Sequence, residues 1–65
     1  MWAIRNKRTR KWLYGTDYSG KKIHQRTSED RCMVFETEEI ARAEMRWRKC
    51  GVNYEAVPIR IEELQ

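Results

Sequence analysis

Between Thr37 and Gly51 the chain carries a complete set of helix signals, and this segment constrains the rest of the fold more than any other. The Thr37 hydroxyl suits an N-cap, where it can accept a bond from a backbone N–H that has no partner inside the helix. Glu38 and Glu39 follow at the positive end of the helix dipole, and Arg46, Arg48 and Lys49 crowd its negative end. Glu38–Arg42 and Glu44–Arg48 are i,i+4 pairs in the favourable orientation. Gly51 suits a left-handed C-terminal position, so the helix is predicted to continue through Cys50. On a helical wheel Ile40, Ala43, Trp47 and Cys50 cluster within about a quarter-turn, which predicts them as the core face. Ala43 would let the helix lie close to a sheet. Met45 falls about 180° from the centre of that face and is expected at the surface.

The other apolar segments read as strands. Residues 2–6 and 11–15 flank the polar run Asn6-Lys7-Arg8-Thr9-Arg10. With the turn at Arg8-Thr9, cross-strand partners place Ile4 opposite Leu13, Arg5 opposite Trp12 and Ala3 opposite Tyr14. Ile4 and Leu13 then share one face, and Arg5, Trp12 and Tyr14 the other. Residues 16–30 show no clear periodicity and predict a long loop, with a turn at Ser19-Gly20 and Ile23 anchoring its middle. Cys32–Phe35 is an apolar run of strand length. Residues 54–61 alternate, with Val57, Ile59 and Ile61 on one side and Tyr54, Ala56, Pro58 and Arg60 on the other. Pro58 cannot donate a ladder bond, which predicts an edge strand or a bulge. The order β-β-loop-β-α-β gives the fold class: α+β, a small antiparallel sheet of about four strands with one helix packed on one face.

A chain of 65 residues makes a single domain, residues 1–65, and buries only about 60% of its unfolded surface. Its three Trp, three Tyr and one Phe argue against disorder, which is poor in such residues. No apolar stretch of signal-peptide length follows Met1, and none approaches the roughly 18 residues of a membrane span. The chain is expected in the cytoplasm, without a membrane partner. Cys32 and Cys50 lack C-x-x-C spacing and secretory context, and are expected as reduced, mostly buried thiols.

Catalytic chemistry has few candidates. His24 is the one histidine, and it lies in the predicted loop. Cys50 sits at a helix C-terminus, where the dipole disfavours a thiolate; Cys32 has a single cationic neighbour, Arg31. Cys32, Cys50 and His24 supply three of the four ligands that a structural zinc needs, without recognisable spacing. Glu29-Asp30, Glu38-Glu39 and Glu62-Glu63 are sequence neighbours that point apart. The glycines at 15, 20 and 51 form no phosphate loop. The chain is read as a non-enzyme without metal or small-molecule cofactor.

Charge points elsewhere. Of the net +4, residues 1–31 hold nine Lys or Arg against three acids, and residues 32–65 hold five against seven. Arg5, Lys7, Arg8, Arg10 and Lys11 surround Trp12 and Tyr14 on the first hairpin. Basic side chains neutralise phosphates, and exposed aromatic faces stack on unpaired bases, so these seven residues form a candidate nucleic-acid-binding surface. Tyr54 and Arg60 are expected beside Trp12 and Tyr14 on the open sheet face. Arg42, Arg46 and Lys49 make a second basic stripe, read chiefly as a solvated face. The alternatives stay open: Arg5 and Trp12 can form a cation–π pair that protects the sheet, or the aromatic face can be a protein interface, either a self-dimer or a surface that inhibits a cellular protein. Trp2 and Trp47 are read as core.

Several stretches resemble small uncharacterised proteins encoded by bacteriophages and prophages: Ile4-Arg5-Asn6-Lys7, Lys11-Trp12-Leu13-Tyr14-Gly15-Thr16-Asp17-Tyr18, Gln25-Arg26-Thr27-Ser28 and Val34-Phe35-Glu36-Thr37-Glu38-Glu39. The resemblance runs over most of the chain. It implies a bacterial cytoplasmic setting and an accessory role, of which nucleic-acid binding and inhibition of host or defence proteins are examples. It transfers no site residues.

Overall fold

Asn6 decides the first turn. Its Oδ1 accepts bonds from the backbone N–H groups of Arg8 at 2.8 Å and Thr9 at 3.0 Å. Its own N–H donates to the Lys11 carbonyl at 2.8 Å, and its carbonyl accepts from the Arg10 N–H at 2.9 Å. The chain thus reverses between strand β1 (Trp2–Asn6) and strand β2 (Trp12–Asp17). In this computed structural model, which describes residues 1–60, Arg5 pairs with Trp12, the predicted register. Among the described residues Arg5–Trp12 is the one partner pair of this ladder, and the predicted pairings of Ile4 with Leu13 and of Ala3 with Tyr14 are not part of it. From there the two strands part, and the Met33–Phe35 stretch fills the gap. The Met33 N–H donates to the Leu13 carbonyl at 3.0 Å, while Phe35 and Trp2 exchange backbone bonds of 2.7 and 2.8 Å. Cys32–Phe35 is therefore not the strand that its apolar run predicts, but a strap bridged to β1 at one residue.

The predicted loop over 16–30 is also corrected. β2 continues to Asp17, and His24–Ser28 forms strand β3, antiparallel to it. Its sequence is wholly polar, so nothing in the hydrophobic pattern marks it; it is an edge strand, paired to the sheet through β2 alone. A bulge between Leu13 and Gly15 resets the alternation of β2. Leu13 and Thr16 are three residues apart and would otherwise face opposite sides; with the bulge both face the helix. Ile23 does not anchor the β2–β3 turn and is exposed.

Strand β4 (Tyr54–Pro58) pairs antiparallel with β1, giving the four-stranded order β3-β2-β1-β4. Pro58 lies on an edge strand, as its missing donor requires. Ala56 pairs with Ile4 and Val57 with Ala3, so the alternation holds. Tyr54, however, packs against the core on the helix side instead of joining Trp12 and Tyr14 on the open face. Ile61 lies outside the described residues.

Helix α1 (Glu38–Trp47) begins as predicted, with Thr37 Oγ1 accepting from the Ile40 N–H at 3.1 Å. It ends before Cys50: Arg48 caps it, and Lys49 and Gly51 take left-handed conformations, φ 52° and 78°. Its core face is not the predicted one. Ala41 is fully buried over Ile4 and Leu13, and Met45 packs against the same cluster, whereas Ile40 is 45% exposed and Trp47 79%. Cys50 alone of the predicted face joins the core. The reason is polar. Glu44 and Arg48 flank the Ala41–Met45 stripe and disguise it, but Arg48 Nε donates to Glu44 Oε1 at 3.0 Å and Nη1 to Thr16 Oγ1 at 2.9 Å. Thr16 donates to Gln25 Oε1 at 2.7 Å, and Gln25 Nε2 donates to the Arg48 carbonyl at 2.6 Å. This closed circuit satisfies the charges and seats the helix C-terminus over β2 and β3.

Cys50 is buried and Cys32 half-buried, both free thiols, and burial pushes both upward in pKa. No helix among the described residues is long and apolar enough to cross a membrane.

Candidate nucleic-acid interface

The β1–β2 turn holds its cations outward. Lys7, Arg8, Arg10 and Lys11 are all exposed, and the Asn6 bonds leave their backbone little freedom. Among the described residues none of the four reaches a carboxylate. Arg10 sits at φ 64°, a left-handed conformation that a residue with a Cβ adopts at a cost of about 1–2 kcal/mol.

The aromatic part of the predicted site is arranged differently from an open stacking platform. Arg5 lies over the Trp12 ring at 5.6 Å and bonds Glu55 Oε2 through Nη2 at 2.9 Å and Nε at 3.2 Å. Arg31, which lies outside the predicted site, sits over Tyr14 at 5.8 Å. Both rings are half-buried with a guanidinium on one face. Arg5, Trp12 and Glu55 thus form one structural unit, and Arg5 is separated in role from the four cations of the turn. Tyr14 and Arg31 border a shallow depression with Thr27, Ser28 and Asp30. The Ser28 hydroxyl bonds the Asp30 carboxylate at 2.6 Å and holds it below the usual carboxylate range.

The fold ties the hairpin turn to the loop that follows the second basic stripe. The Lys7 N–H donates to the Asn53 carbonyl at 2.7 Å, tying the turn to the loop that follows the helix. Two residues earlier in that loop, Gly51 lines an open hollow of about 310 Å³ together with Arg42, Met45, Arg46 and Lys49. Arg42 is paired with Glu38 at 3.0 Å, while Arg46 and Lys49 reach no carboxylate among the described residues. Two groups of unpaired cations, on the hairpin tip and on the C-terminal part of α1, are thus joined through the uncharged residues 51–53, and together they are termed the cationic band. No known family, no curated protein and no solved structure matches the chain. The band is what the geometry itself offers.

Two further details describe this band. Among the described residues the non-glycines in left-handed backbone are Arg10 and Lys49, and both are unpaired cations of the band. Each keeps a Cβ where glycine or asparagine would relieve the strain, Lys49 at the point where the chain leaves the helix. The band also carries an apolar floor, Met45, between its arginines. Among the described residues no three His, Cys, Asp or Glu side chains gather as a metal site.

Proposed function

We propose that this protein is a non-catalytic accessory protein that binds nucleic acid through the cationic band, with Lys7, Arg8, Arg10 and Lys11 on the hairpin tip and Arg46 and Lys49 on the helix contacting phosphates. The observation that supports this reading is the Lys7–Asn53 bond, which ties the hairpin turn to the loop after the helix and so links two basic stretches 30 or more residues apart in sequence. Phosphate contact is favoured over base stacking. Stacking on the capped faces of Trp12 and Tyr14 would require displacing Arg5 from Glu55 and Arg31 from its ring. The same capping weakens the alternative of an aromatic protein interface on the open sheet face. A phage or prophage setting, which the sequence resemblance implies, accords with this role.

The test is fluorescence anisotropy with labelled single- and double-stranded DNA and RNA over a salt series. If about five of the six cations engage phosphates, log K should fall with log salt at a slope of roughly −3.5 for single strands and −4.5 for duplex. Absence of binding at low salt would reject the proposal.

A further inference from the structure

Helix α1 carries two apolar stripes. One, Ala41 and Met45, faces the sheet; the other, Ile40, Ala43 and Trp47, faces solvent. Trp47 is 79% exposed, and it lines an open cleft of about 380 Å³ with Tyr18, which is 56% exposed. The pair lies on the side of the helix away from the hollow that Arg42 and Lys49 line.

We infer that this outer stripe is the interface of a homodimer in which two copies of α1 pack antiparallel about a two-fold axis near Ala43. Four observations fit a second copy. Ala43, the small residue, sits midway between Ile40 and Trp47, so the helices approach closely where the axis passes. The antiparallel arrangement seats Ile40 of each copy against the Tyr18–Trp47 cleft of the other. Charge is self-complementary: Glu39 in the first turn and Arg46 in the last turn share one flank of the stripe, and antiparallel packing sets each Glu39 beside Arg46 of the other copy. The helix dipoles also oppose, each acidic N-terminal turn meeting a basic C-terminal one.

The area available is small. Each aromatic side chain offers about 150–250 Å², so the exposed parts of Trp47, Tyr18 and Ile40 come to roughly 350–400 Å² per copy. That is about half of the ~800 Å² that each side of a standard interface buries. The dimer is accordingly weak, and the Trp47–Tyr18 pairs on either side of its axis are of the kind that dominates binding energy. This inference does not rest on the nucleic-acid reading; Arg46 is the one residue the two surfaces share, and in the dimer it pairs with Glu39 of the other copy.

The test is sedimentation equilibrium of the whole chain from about 10 μM to 1 mM, without nucleic acid, on the wild type and on folded variants checked by circular dichroism. Wild type should pass from monomer to dimer, and Trp47→Ala should weaken association at least tenfold. Glu39→Arg and Arg46→Glu should each weaken it several-fold, and the double variant should restore it, because the swap recreates the pair across the axis. A monomer throughout the range overturns the inference. So does dimerisation indifferent to Trp47→Ala, or a double swap no better than either single variant. Protection of Trp47 by an oligonucleotide or an added protein while the chain stays monomeric would assign the stripe to that partner and overturn the homodimer.

Discussion

Arg10 offers a way to separate strain from charge. Its φ of 64° is one that glycine adopts without penalty. A left-handed L-residue costs about 1–2 kcal/mol, and the extra unfolded-state entropy of glycine takes back roughly 0.5–1 kcal/mol. Arg10→Gly should therefore stabilise the domain by about 0.5–1 kcal/mol, or ~2–8 °C in Tm for a chain of this size. Arg10→Ala removes the same charge but keeps the Cβ, and should leave Tm within about 2 °C of wild type. Both should weaken nucleic-acid binding equally and make the salt slope shallower by about 0.7 for single strands, the value for one phosphate fewer neutralised. The assay pairs thermal unfolding by circular dichroism with anisotropy at several salt concentrations. Equal Tm values for the two variants would refute the strain argument, and wild-type binding by both would remove Arg10 from the interface.

Three further outcomes follow from the packing and the titrating groups. Met45→Ala should cost about 1–2 kcal/mol, half the usual range for a fully buried methionine because Met45 is half-buried, whereas Trp47→Ala should cost the monomer under about 0.5 kcal/mol; chemical denaturation at low protein concentration checks the order. Arg48→Lys should not replace Arg48, since one ammonium cannot serve Glu44 and Thr16 in the fork geometry, and a loss of about 1–2 kcal/mol in urea unfolding is expected. The Asp17 carboxyl is held below its ordinary range by Ser19, through both hydroxyl and backbone N–H, and secondarily by Arg26. A lowered folded-state pKa contributes stability above the ordinary Asp value that is lost as pH falls through the folded value. The β2–β3 turn should loosen only below about pH 4, and Ser19→Ala should move the Asp17 titration upward by NMR.

The local signals in the sequence are reliable where one residue controls one turn. The Thr37 cap, the Glu38–Arg42 and Glu44–Arg48 pairs, the Arg5–Trp12 register and the edge position of Pro58 are all in the structure. The helix face is not legible because both sides of α1 are partly apolar. Ile40, Ala43 and Trp47 outweigh Ala41 and Met45 in hydrophobicity, and the deciding factor is the Arg48–Thr16–Gln25 circuit, which depends on a strand that the pattern hides. β3 is hidden because His24–Ser28 has no apolar alternation, and its place comes from pairing with β2 past a bulge. Of the candidate site, the turn cations are visible as a run. The link between the turn and the loop that follows Arg46 and Lys49 is not, since it rests on one backbone bond between Lys7 and Asn53.

The most direct test of the account is a heteronuclear NMR titration of the isotopically labelled chain with a short single-stranded oligonucleotide at low salt. Binding through the cationic band predicts that backbone shifts gather on residues 7–11, 46, 49 and 51–53, with β3 and the Tyr14–Arg31 pair little changed. Shifts confined to Trp12, Tyr14 and β3, or confined to the hairpin tip with the helix end silent, would contradict it.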